Sequence, residues 1–566
     1  MLDRYAKSRS WTVKEAVRED QASFGKIRRL CEKGLLYDAL QSAEALQQQE
    51  GRRVSRDDLY WLLQACSEYP NLEAACRIRA LIEACGLYSA SVLGDHLIRL
   101  FTSCGSLEDA RNVFAKVQKP SVFTWNAIIS AHAQSCEPLS GLLCYNDMQC
   151  QGVRPNRVTF LAILRACGTI RSLSCIRQAQ DNIISEGLDS DVIVANALID
   201  TYAKCGSLHE ARCIFDTLQS CRDVVSWSSM ISGYVQHGYG LDALFLFEDM
   251  QENGVQPANM IYSSILKACG SIGDIQKGRE IHYEISILGL ISDLVIGNTL
   301  IDMYVKCGKV KEARFVFDCL PSHDEVLWGT MIAGYALNGY GFPALELFGE
   351  MQRKNVKADR ATYLCVLRSC ALVGALQEGR LAHQQLTEDH VDVEIFVKNA
   401  LIDMYAHCTS VADAFQVFNT LHNPDLASWG AIMWGYASCG QGLQVEKSLR
   451  QMQQQGLDPD GITFMSILSA YSHAGLLNEG CHYFKCMTEF YNVTPSIEHY
   501  NCMIDLLCRA GCLDEAQNLL ASIPNSSSII GLTSLYTGNK VYKSEEGKSL
   551  KHLFDGEDSM VKKIKI

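Results

Sequence analysis

The stretch VANALIDTYAKCGSLHEARCIFD, residues 194–216, contains two short amphipathic segments joined by a Cys-Gly step. The apolar residues of the second segment recur at i, i+3, i+4 and i+7, the spacing of one helical face: Ala211, Ile214, Phe215 and Leu218. Gly206 tolerates positive φ and can end the first segment. Ser207 and Glu210 have the spacing of a capping box at the start of the second. The stretch therefore predicts two short helices separated by a tight turn.

The same stretch recurs along the chain, for example as IGNTLIDMYVKCGKVKEARFVFD at residues 296–318. Tryptophans mark the period, at steps of 102, 101 and 101 residues: Trp125, Trp227, Trp328 and Trp429. Two cysteine series keep the same step: Cys66, Cys167, Cys269 and Cys370, and Cys104, Cys205, Cys307 and Cys408. Because these thiols follow the phase of the repeat, we interpret them as packing or turn residues and not as a metal site.

Each long period divides into three units of about 35, 35 and 31 residues. Each unit is predicted to form two antiparallel helices, and no segment inside the array alternates as a sheet would require. A helix pair this small cannot bury its apolar face alone, so neighbours must stack into an all-α solenoid of about fifteen pairs. The expected division is an N-terminal segment with a degenerate repeat at 1–55, degenerate repeats at 56–121, triplets at 122–223, 224–324, 325–425 and 426–527, and a non-repeat tail at 528–566.

The composition is that of a folded protein, because 48% of the 566 residues are hydrophobic and 20% are charged. The sequence contains no run of about 18 apolar residues, so it predicts no membrane span. The 25 cysteines are only about 4% of the chain, which indicates reduced thiols and not a disulfide scaffold. The net charge of -13 argues against binding nucleic acid by bulk charge, although it does not exclude a local groove.

These phrases, together with WSSMISGYVQHGYGLDALFLFEDMQENGVQP at 227–257, resemble the pentatricopeptide repeat (PPR) family, and specifically its plant organellar subfamily of alternating P, L and S motifs. The resemblance covers residues 56–525. The tetratricopeptide repeat is the nearest alternative, but it would keep one unit length and a W-x-x-L-G-x-x-Y phrase. The resemblance implies an α-solenoid in P, L, S order that binds single-stranded RNA with one base per repeat.

In the family, the fifth residue of a motif faces the base edge and the last residue acts with it. Carried onto this sequence, the base-reading residues are Asn126 with Asn156, Asn196 with Asp223, Asn298 with Asp324, Asn399 with Asp425, and Ser228 opposite Ala258. The resemblance implies that Asn with Asp favours U and that Asn with Asn favours a pyrimidine such as C. Gly329 and Gly430 bring no side chain to a base. The L motifs have Leu161, Ser263, Leu364 and Met465 at the fifth position. These mostly apolar residues imply that the L motifs set the spacing of the other motifs more than they read bases.

Two alternatives stay open for these polar residues. An Asn near a helix start is often only an N-terminal cap. The recurrent arginines of the "AR" phrase, Arg111, Arg212 and Arg314, could contact phosphates, or they could lie on a solvated face or form ion pairs between repeats.

No catalytic site is expected in this chain. Some relatives carry a DYW-type deaminase domain, which needs an H-x-E phrase and a C-x-x-C pair as zinc ligands. No two cysteines here are three residues apart, and His282-Tyr283-Glu284 lies in a predicted helix. No phosphate-binding glycine loop is present either. The sequence therefore predicts a binding protein that lacks the deaminase domain, catalytic residues, a metal site and a cofactor.

The predicted function is sequence-specific binding of single-stranded organellar RNA, as a site-recognition factor for C-to-U editing that acts with a separate deaminase or editing-complex protein. Alternatives are a role in organellar RNA splicing, stability or translation, a peptide-binding scaffold, and a degenerate product without activity. Neither a membrane nor DNA is an expected partner. The resemblance implies a mitochondrion or chloroplast, although the first 30 residues contain four acids and do not resemble a transit peptide.

Overall fold

The computed structural model describes residues 25–48, 54–87, 91–135, 137–389 and 394–521. Within these ranges the secondary structure is helical, without a strand. The first helices of the motifs are Arg56–Glu68, Ser91–Ser103, Val122–Gln134, Arg157–Ile170, Val192–Lys204, Val224–Gln236, Asn259–Ile272, Leu294–Lys306, Glu325–Leu337, Arg360–Val373, Ile395–His407, Leu426–Ser438, Gly461–Ala474 and Ile497–Arg509.

The second helices are Leu36–Gln48, Leu72–Ala84, Leu107–Lys116, Pro138–Cys150, Leu173–Ser185, Leu208–Thr217, Gly240–Glu252, Ile275–Ile287, Val310–Cys319, Gly341–Arg353, Leu376–Glu388, Val411–Asn419, Gly442–Gln454, Leu477–Glu489 and Leu513–Ala521. Two short 3₁₀ helices lie at Gln219–Cys221 and Leu290–Ser292. The predicted tail at 528–566 and the first 24 residues lie outside the described residues.

The last residue of one motif caps the first helix of the next. Asp223, for example, has an extended backbone, and its carboxylate accepts the backbone N–H of Ser226. Such a cap satisfies one of the free N–H groups at a helix start. Side-chain caps of this kind recur at Ser121, Asn156, Asp191, Asp293, Asp324, Asp359, Asp425 and Asp460. The cap interpretation therefore applies to the last residues of the motifs and not to the fifth residues, which lie inside the helices.

The capping box predicted at Ser207 and Glu210 is wrong. Ser207 has ψ of 64° after the Gly206 turn, and its side chain makes no cap hydrogen bond. Its hydroxyl instead donates to Glu210 Oε2 at 2.9 Å. Glu210 Oε1 accepts a hydrogen bond from Arg177 Nη2 at 2.8 Å. The spacing is therefore used for an ion pair between motifs and not for a cap.

The repeat-marking tryptophans form the core where a second helix meets the following first helix. Trp227 is 1% exposed, and its ring meets Phe215 edge to face at 5.0 Å between centroids. The same contact recurs at Phe114–Trp125, Phe317–Trp328 and Phe418–Trp429. In the predicted stripe, Ala211 and Phe215 are fully buried, whereas Ile214 is half-buried. One edge-to-face aromatic contact per long period thus explains the spacing of the tryptophans.

Two compact units are present, one ending at Ile272 and one beginning at Gly273. In the first unit, Val122–Gln134 contacts its own second helix, Pro138–Cys150, and the next first helix, Arg157–Ile170. In the second unit, Ile395–His407 contacts Val411–Asn419 and Leu426–Ser438 in the same way. Within each unit the helix pairs therefore stack as the all-α solenoid that the repeat predicts. Among the described helices, none combines the length and apolar character that crossing a bilayer requires.

Candidate nucleic-acid interface

Asn196 lies on the second turn of Val192–Lys204 and is joined to two polar residues of the following helix start. Its side-chain nitrogen donates to Asp223 Oδ1 at 2.9 Å. The Ser226 hydroxyl donates to Asn196 Oδ1 at 2.6 Å. Ser226 is fully buried and Asn196 is only 6% exposed. Fifth residue, last residue and a hydroxyl thus form a connected polar triad.

The triad recurs in two other motifs. Asn399 donates to Asp425 at 3.1 Å and accepts from the Ser428 hydroxyl at 2.6 Å. Asn126 donates to Asn156 Oδ1 at 3.0 Å and accepts from the Thr159 hydroxyl at 2.6 Å. The structure therefore brings together three of the predicted pairs.

The hydroxyl member of the triad was missed by the sequence reasoning. Thr159, Ser226 and Ser428 are each the third residue of the motif that follows the pair. A serine or threonine three residues after each polar last residue was the available signal. Such a hydroxyl also accepts the backbone N–H of the capping residue, as Ser226 does from Asp223 at 3.2 Å. One hydroxyl therefore orients the asparagine amide and completes the helix cap.

The carboxylates of two triads are held ionised. Burial acts to raise the pKa of Asp223, but hydrogen bonds from the backbone N–H of Ser226 and from the Asn196 amide help to outweigh it, so the pKa is lowered. The pKa of Asp425 is lowered in the same way by Ser428 and Asn399. An ionised carboxylate only accepts, so it selects the NH₂ end of the asparagine amide. The orientation of the amide is thus set by its neighbours, and the triad leaves one N–H and one oxygen lone pair of the amide unused.

Asn298 and Asp324 depart from the pattern. The third residue of the following motif is Leu327, which is fully buried and has no hydroxyl. Asp324 accepts the backbone N–H of Leu327 at 2.8 Å. Asn298 Oδ1 is buried and has no hydrogen-bond partner in the described part of the chain. This motif therefore lacks the hydroxyl that orients the asparagine amide in the three triads.

Three motifs that the sequence predicts as P motifs, beginning at residues 224, 325 and 426, differ at the fifth position. Ser228 is half-buried on Val224–Gln236, and Ala258, its predicted counterpart, has no polar side-chain group. At Gly329 the space for a Cβ atom is taken by the Thr362 hydroxyl, only 2.7 Å away. At Gly430 the nearest atom is the Ile462 methyl at 3.5 Å, and a cleft of about 470 Å³ opens there, lined by Asn399, Trp434 and Ile462. The two glycine motifs therefore present different surfaces.

Exposed apolar side chains accompany the triads and were also missed. They occupy the second position of ten motifs: Val92, Phe123, Val158, Ile193, Val225, Met260, Val295, Val326, Phe396 and Ile462. The second residue lies three positions before the fifth, so the two share one side of the first helix. Within each unit, large apolar groups that recur in this way at solvent-exposed positions mark an interaction surface.

The arginines of the "AR" phrase lie on second helices and are engaged by carboxylates. Arg212 Nε lies 3.0 Å from Asp216, and Arg314 Nε lies 2.9 Å from Asp318. Arg111 forms an ion pair with Glu137 of the next motif. Of the two interpretations that the sequence left open, the contacts favour ion pairs.

Residues considered for chemistry have packing roles in the structure. His282 Nδ1 lies 2.8 Å from the Tyr304 hydroxyl, and burial lowers the pKa of His282. Burial raises the pKa of the Cys167 and Cys370 thiols to about 12. Across the described ranges, no three His, Cys, Asp or Glu side chains are grouped as metal ligands.

These features define a helical-repeat protein with a recurrent polar triad on its first helices. Segments of the chain match the PPR repeat family at residues 120–169, 222–271 and 323–371. Further matches to the PPR repeat lie at 193–222, 298–324, 427–457, 462–491 and 491–522. The chain belongs to the pentatricopeptide repeat family.

Relatives from Arabidopsis thaliana support the same family. A putative pentatricopeptide repeat-containing protein is 32% identical over 462 residues, covering 80% of this chain and 82% of the relative. A relative named as chloroplastic is 33% identical and covers 82% of this chain. A putative relative named as mitochondrial is 32% identical, covering 79% of this chain and 74% of its own length. The chain spans 57% and 65% of the length of two of the relatives that it matches.

Solved structures share the fold. The pentatricopeptide repeat protein PPR10 from maize superposes with a TM-score of 0.56 at 19% identity, covering 96% of this chain and 85% of PPR10. PPR10 in complex with an 18-nt psaJ RNA element gives a TM-score of 0.55 at 16% identity, with 95% and 90% covered.

Proposed function

We propose that this chain binds single-stranded RNA in a plant organelle and reads individual bases through its fifth and last residues. The observation that carries the proposal is the polar triad, which recurs in three motifs beside exposed apolar residues. A repeated donor and acceptor next to a repeated apolar platform suits a ligand that is itself a chain of flat polar units. The RNA complex of PPR10 supports this choice of ligand.

The chemistry of the triads accounts for the base preferences that the family implies. Uracil presents an N–H donor between two carbonyl acceptors, and an oriented asparagine amide offers the complementary acceptor and donor. The ionised Asp223 and Asp425 accept only, so they favour a base with an N–H at this edge. Asn156 can donate through its own NH₂ group, which suits the ring-nitrogen acceptor of cytosine. The apolar second residues then supply surfaces on which bases stack.

A role in C-to-U editing, with the deaminase supplied by a partner protein, is the biological function that we propose for this recognition. The mixed motif lengths of the P, L, S array support it, because such arrays are associated with editing in the family that the sequence resembles. The names of relatives as chloroplastic and mitochondrial support an organelle. Sequencing organellar transcripts from plants that lack the gene tests this role, and unchanged editing at every site would contradict it.

Base reading is tested by selecting ligands for the full chain from a random single-stranded RNA library. We expect enrichment of U at the positions read by Asn196 and Asn399. Asn196→Ser should shift one position from U toward a purine and leave the others unchanged, while Asn399→Ser should shift a different position. If the unmodified chain enriches no RNA sequence, the proposal is wrong.

A further inference from the structure

Exposed Lys and Arg side chains lie at one position of the first helices of the three internal L motifs. The ninth residue of the first helix is Arg165, Lys267 and Arg368 in the three internal L motifs, and each of these side chains is exposed. The ninth residue follows the fifth by four positions. It therefore lies one helical turn further along the same face as the fifth residue.

The L motifs have no base-reading group at that fifth position. Leu161 and Leu364 are apolar, and the hydroxyl of Ser263 is buried without a hydrogen-bond partner in the described part of the chain. A cation on this face accordingly has no neighbouring reader within its own motif. The cation nevertheless lies on the side of its first helix that corresponds to the side on which Asn126, Asn196 and Asn399 lie on theirs.

The charge on this face is balanced in the other motifs. In the three internal S motifs the ninth residue is acidic and has a basic partner one turn later: Lys204 contacts Asp200 at 2.6 Å, Lys306 contacts Asp302 at 2.8 Å and His407 contacts Asp403 at 3.3 Å. The P motifs have uncharged Ser232 and Ala333 there. At the ninth position, each of the three internal P, L, S triplets thus has one cation without an ion pair in the described ranges, and it lies on the L motif.

The arginines of the second helices differ from these cations because they are paired with carboxylates. Arg212 and Arg314 are held by carboxylates within 3.0 Å, whereas Arg165, Lys267 and Arg368 form no ion pair within the described ranges. A cation held by a carboxylate has little net field to offer a ligand, while an exposed one attracts an anion. Within the three internal triplets, the unpaired cations of the ninth position are therefore on the L motifs.

We propose that Arg165, Lys267 and Arg368 bind backbone phosphates of the RNA, so that the L motifs hold the strand while the P and S motifs read bases. The proposal rests on the RNA-binding function proposed above. It resolves the difficulty of a chain with a net charge of -13 that binds a polyanion, because the few cations needed are located beside the reading row. The L motifs then contribute affinity without base preference.

The test is the salt dependence of RNA binding by the full chain carrying Arg165→Gln, Lys267→Gln and Arg368→Gln together. Each lost phosphate contact reduces the slope of log affinity against log salt by about 0.7 for a single strand, so the triple variant should lose about 2 from the slope. Its affinity should be about 100-fold weaker at 0.1 M salt and should converge with the unmodified chain near 1 M. The bases enriched from a random library should stay the same.

A matched control makes the same change in charge on the second helices, with Arg111→Gln, Arg212→Gln and Arg314→Gln. This variant should keep the slope of the unmodified chain, and thermal unfolding should verify that both triple variants are folded. An unchanged slope in the first variant, or an equal loss in both, would overturn the phosphate assignment. If the unmodified chain shows a salt-dependent slope but enriches no base, base reading fails while the phosphate assignment survives.

Discussion

Thr409 has a backbone conformation that glycine holds elsewhere in the repeat. Its φ is 58°, and the corresponding residues of the two preceding S motifs are Gly206 and Gly308 with φ of 78° and 69°. A β-branched residue in the left-handed region costs about 1–2 kcal/mol. Thr409→Gly should therefore raise the free energy of unfolding by up to about 1 kcal/mol, after the entropy cost of glycine is subtracted.

The reciprocal change provides the control. Gly308→Thr introduces the strain that Thr409 carries and should destabilise the protein by about 1–2 kcal/mol. Urea unfolding followed by circular dichroism measures both changes. A loss of stability in Thr409→Gly would show that contacts of the threonine side chain outweigh its backbone strain.

Ser226 is a residue at which stability and recognition can be separated. Its hydroxyl donates to Asn196 Oδ1, so Ser226→Ala leaves the Asn196 amide, which we propose reads a base, with one orienting bond fewer. A hydrogen bond is worth about 0.5–1.5 kcal/mol, so the preference for U at that position should fall about 2- to 10-fold. Competition binding with RNAs that differ at this one base measures the ratio.

Thr463→Ala is the matched variant for that experiment. The Thr463 hydroxyl donates to Asp460 at 2.8 Å in the same structural position, but the fifth residue there is Gly430. We expect a similar effect on the helix cap and no effect on base preference at any U position. Equal changes in preference for both variants would mean that the hydroxyl acts through stability alone.

At the scale of elements, the close approach of first helices depends on small residues. A Cβ atom on Gly334, in Glu325–Leu337, would lie 2.4 Å from Val305 Cγ2, in Leu294–Lys306. Gly334→Ala should therefore force these helices apart and cost about 1–3 kcal/mol. Thermal unfolding of the full chain measures the loss.

Gly349 offers the comparison within the same motif. A Cβ atom there would meet nothing within 4 Å, and the residue lies inside Gly341–Arg353. Alanine favours a helix over glycine, so Gly349→Ala should stabilise the protein by about 0.5–1 kcal/mol. Two changes of the same type are thus expected to have opposite signs, and the same sign for both would refute the packing argument.

At the scale of the whole molecule, ion pairs link second helices of successive motifs in both units. Arg177 contacts Glu210 at 2.8 Å in one unit, and Arg380 contacts Asp413 at 2.7 Å in the other. Hydrogen bonds from Arg177 and Ser207 lower the pKa of Glu210 from 4.5 to about 2. The pKa of Asp413 is lowered by Arg380 and Ser410. Repeated pairs of this type should make stability depend on acid pH.

Glu210→Gln tests this dependence. Because the folded pKa lies below the unfolded value, the carboxylate contributes fully above pH 4.5, and its contribution is lost as the pH falls toward 2. Both partners are partly exposed, so the contribution should be at most about 1 kcal/mol. The difference in unfolding free energy between the two proteins should be constant above pH 4.5 and vanish near pH 2. A difference that persists at pH 2 would contradict the ion-pair explanation.

The sequence by itself determined the period, the helix pairs and the motif positions at which Asn and Asp recur. These follow from spacings within one motif, such as Ala211 with Phe215, and from the recurrence of Asn in one slot and Asp in another. Helix propensity and i, i+4 geometry act over a single turn, so they can be read along the chain.

Only the tertiary structure decided which polar groups meet. Glu210 fits a local cap by its spacing, yet it binds Arg177, which is 33 residues earlier. The Ser226 hydroxyl reaches Asn196 across 30 residues, whereas Leu327 leaves Asn298 without such a partner. The physical reason is that a polar side chain takes the partner that stacking places nearest, and the distance between stacked motifs is not encoded in the spacing within either one.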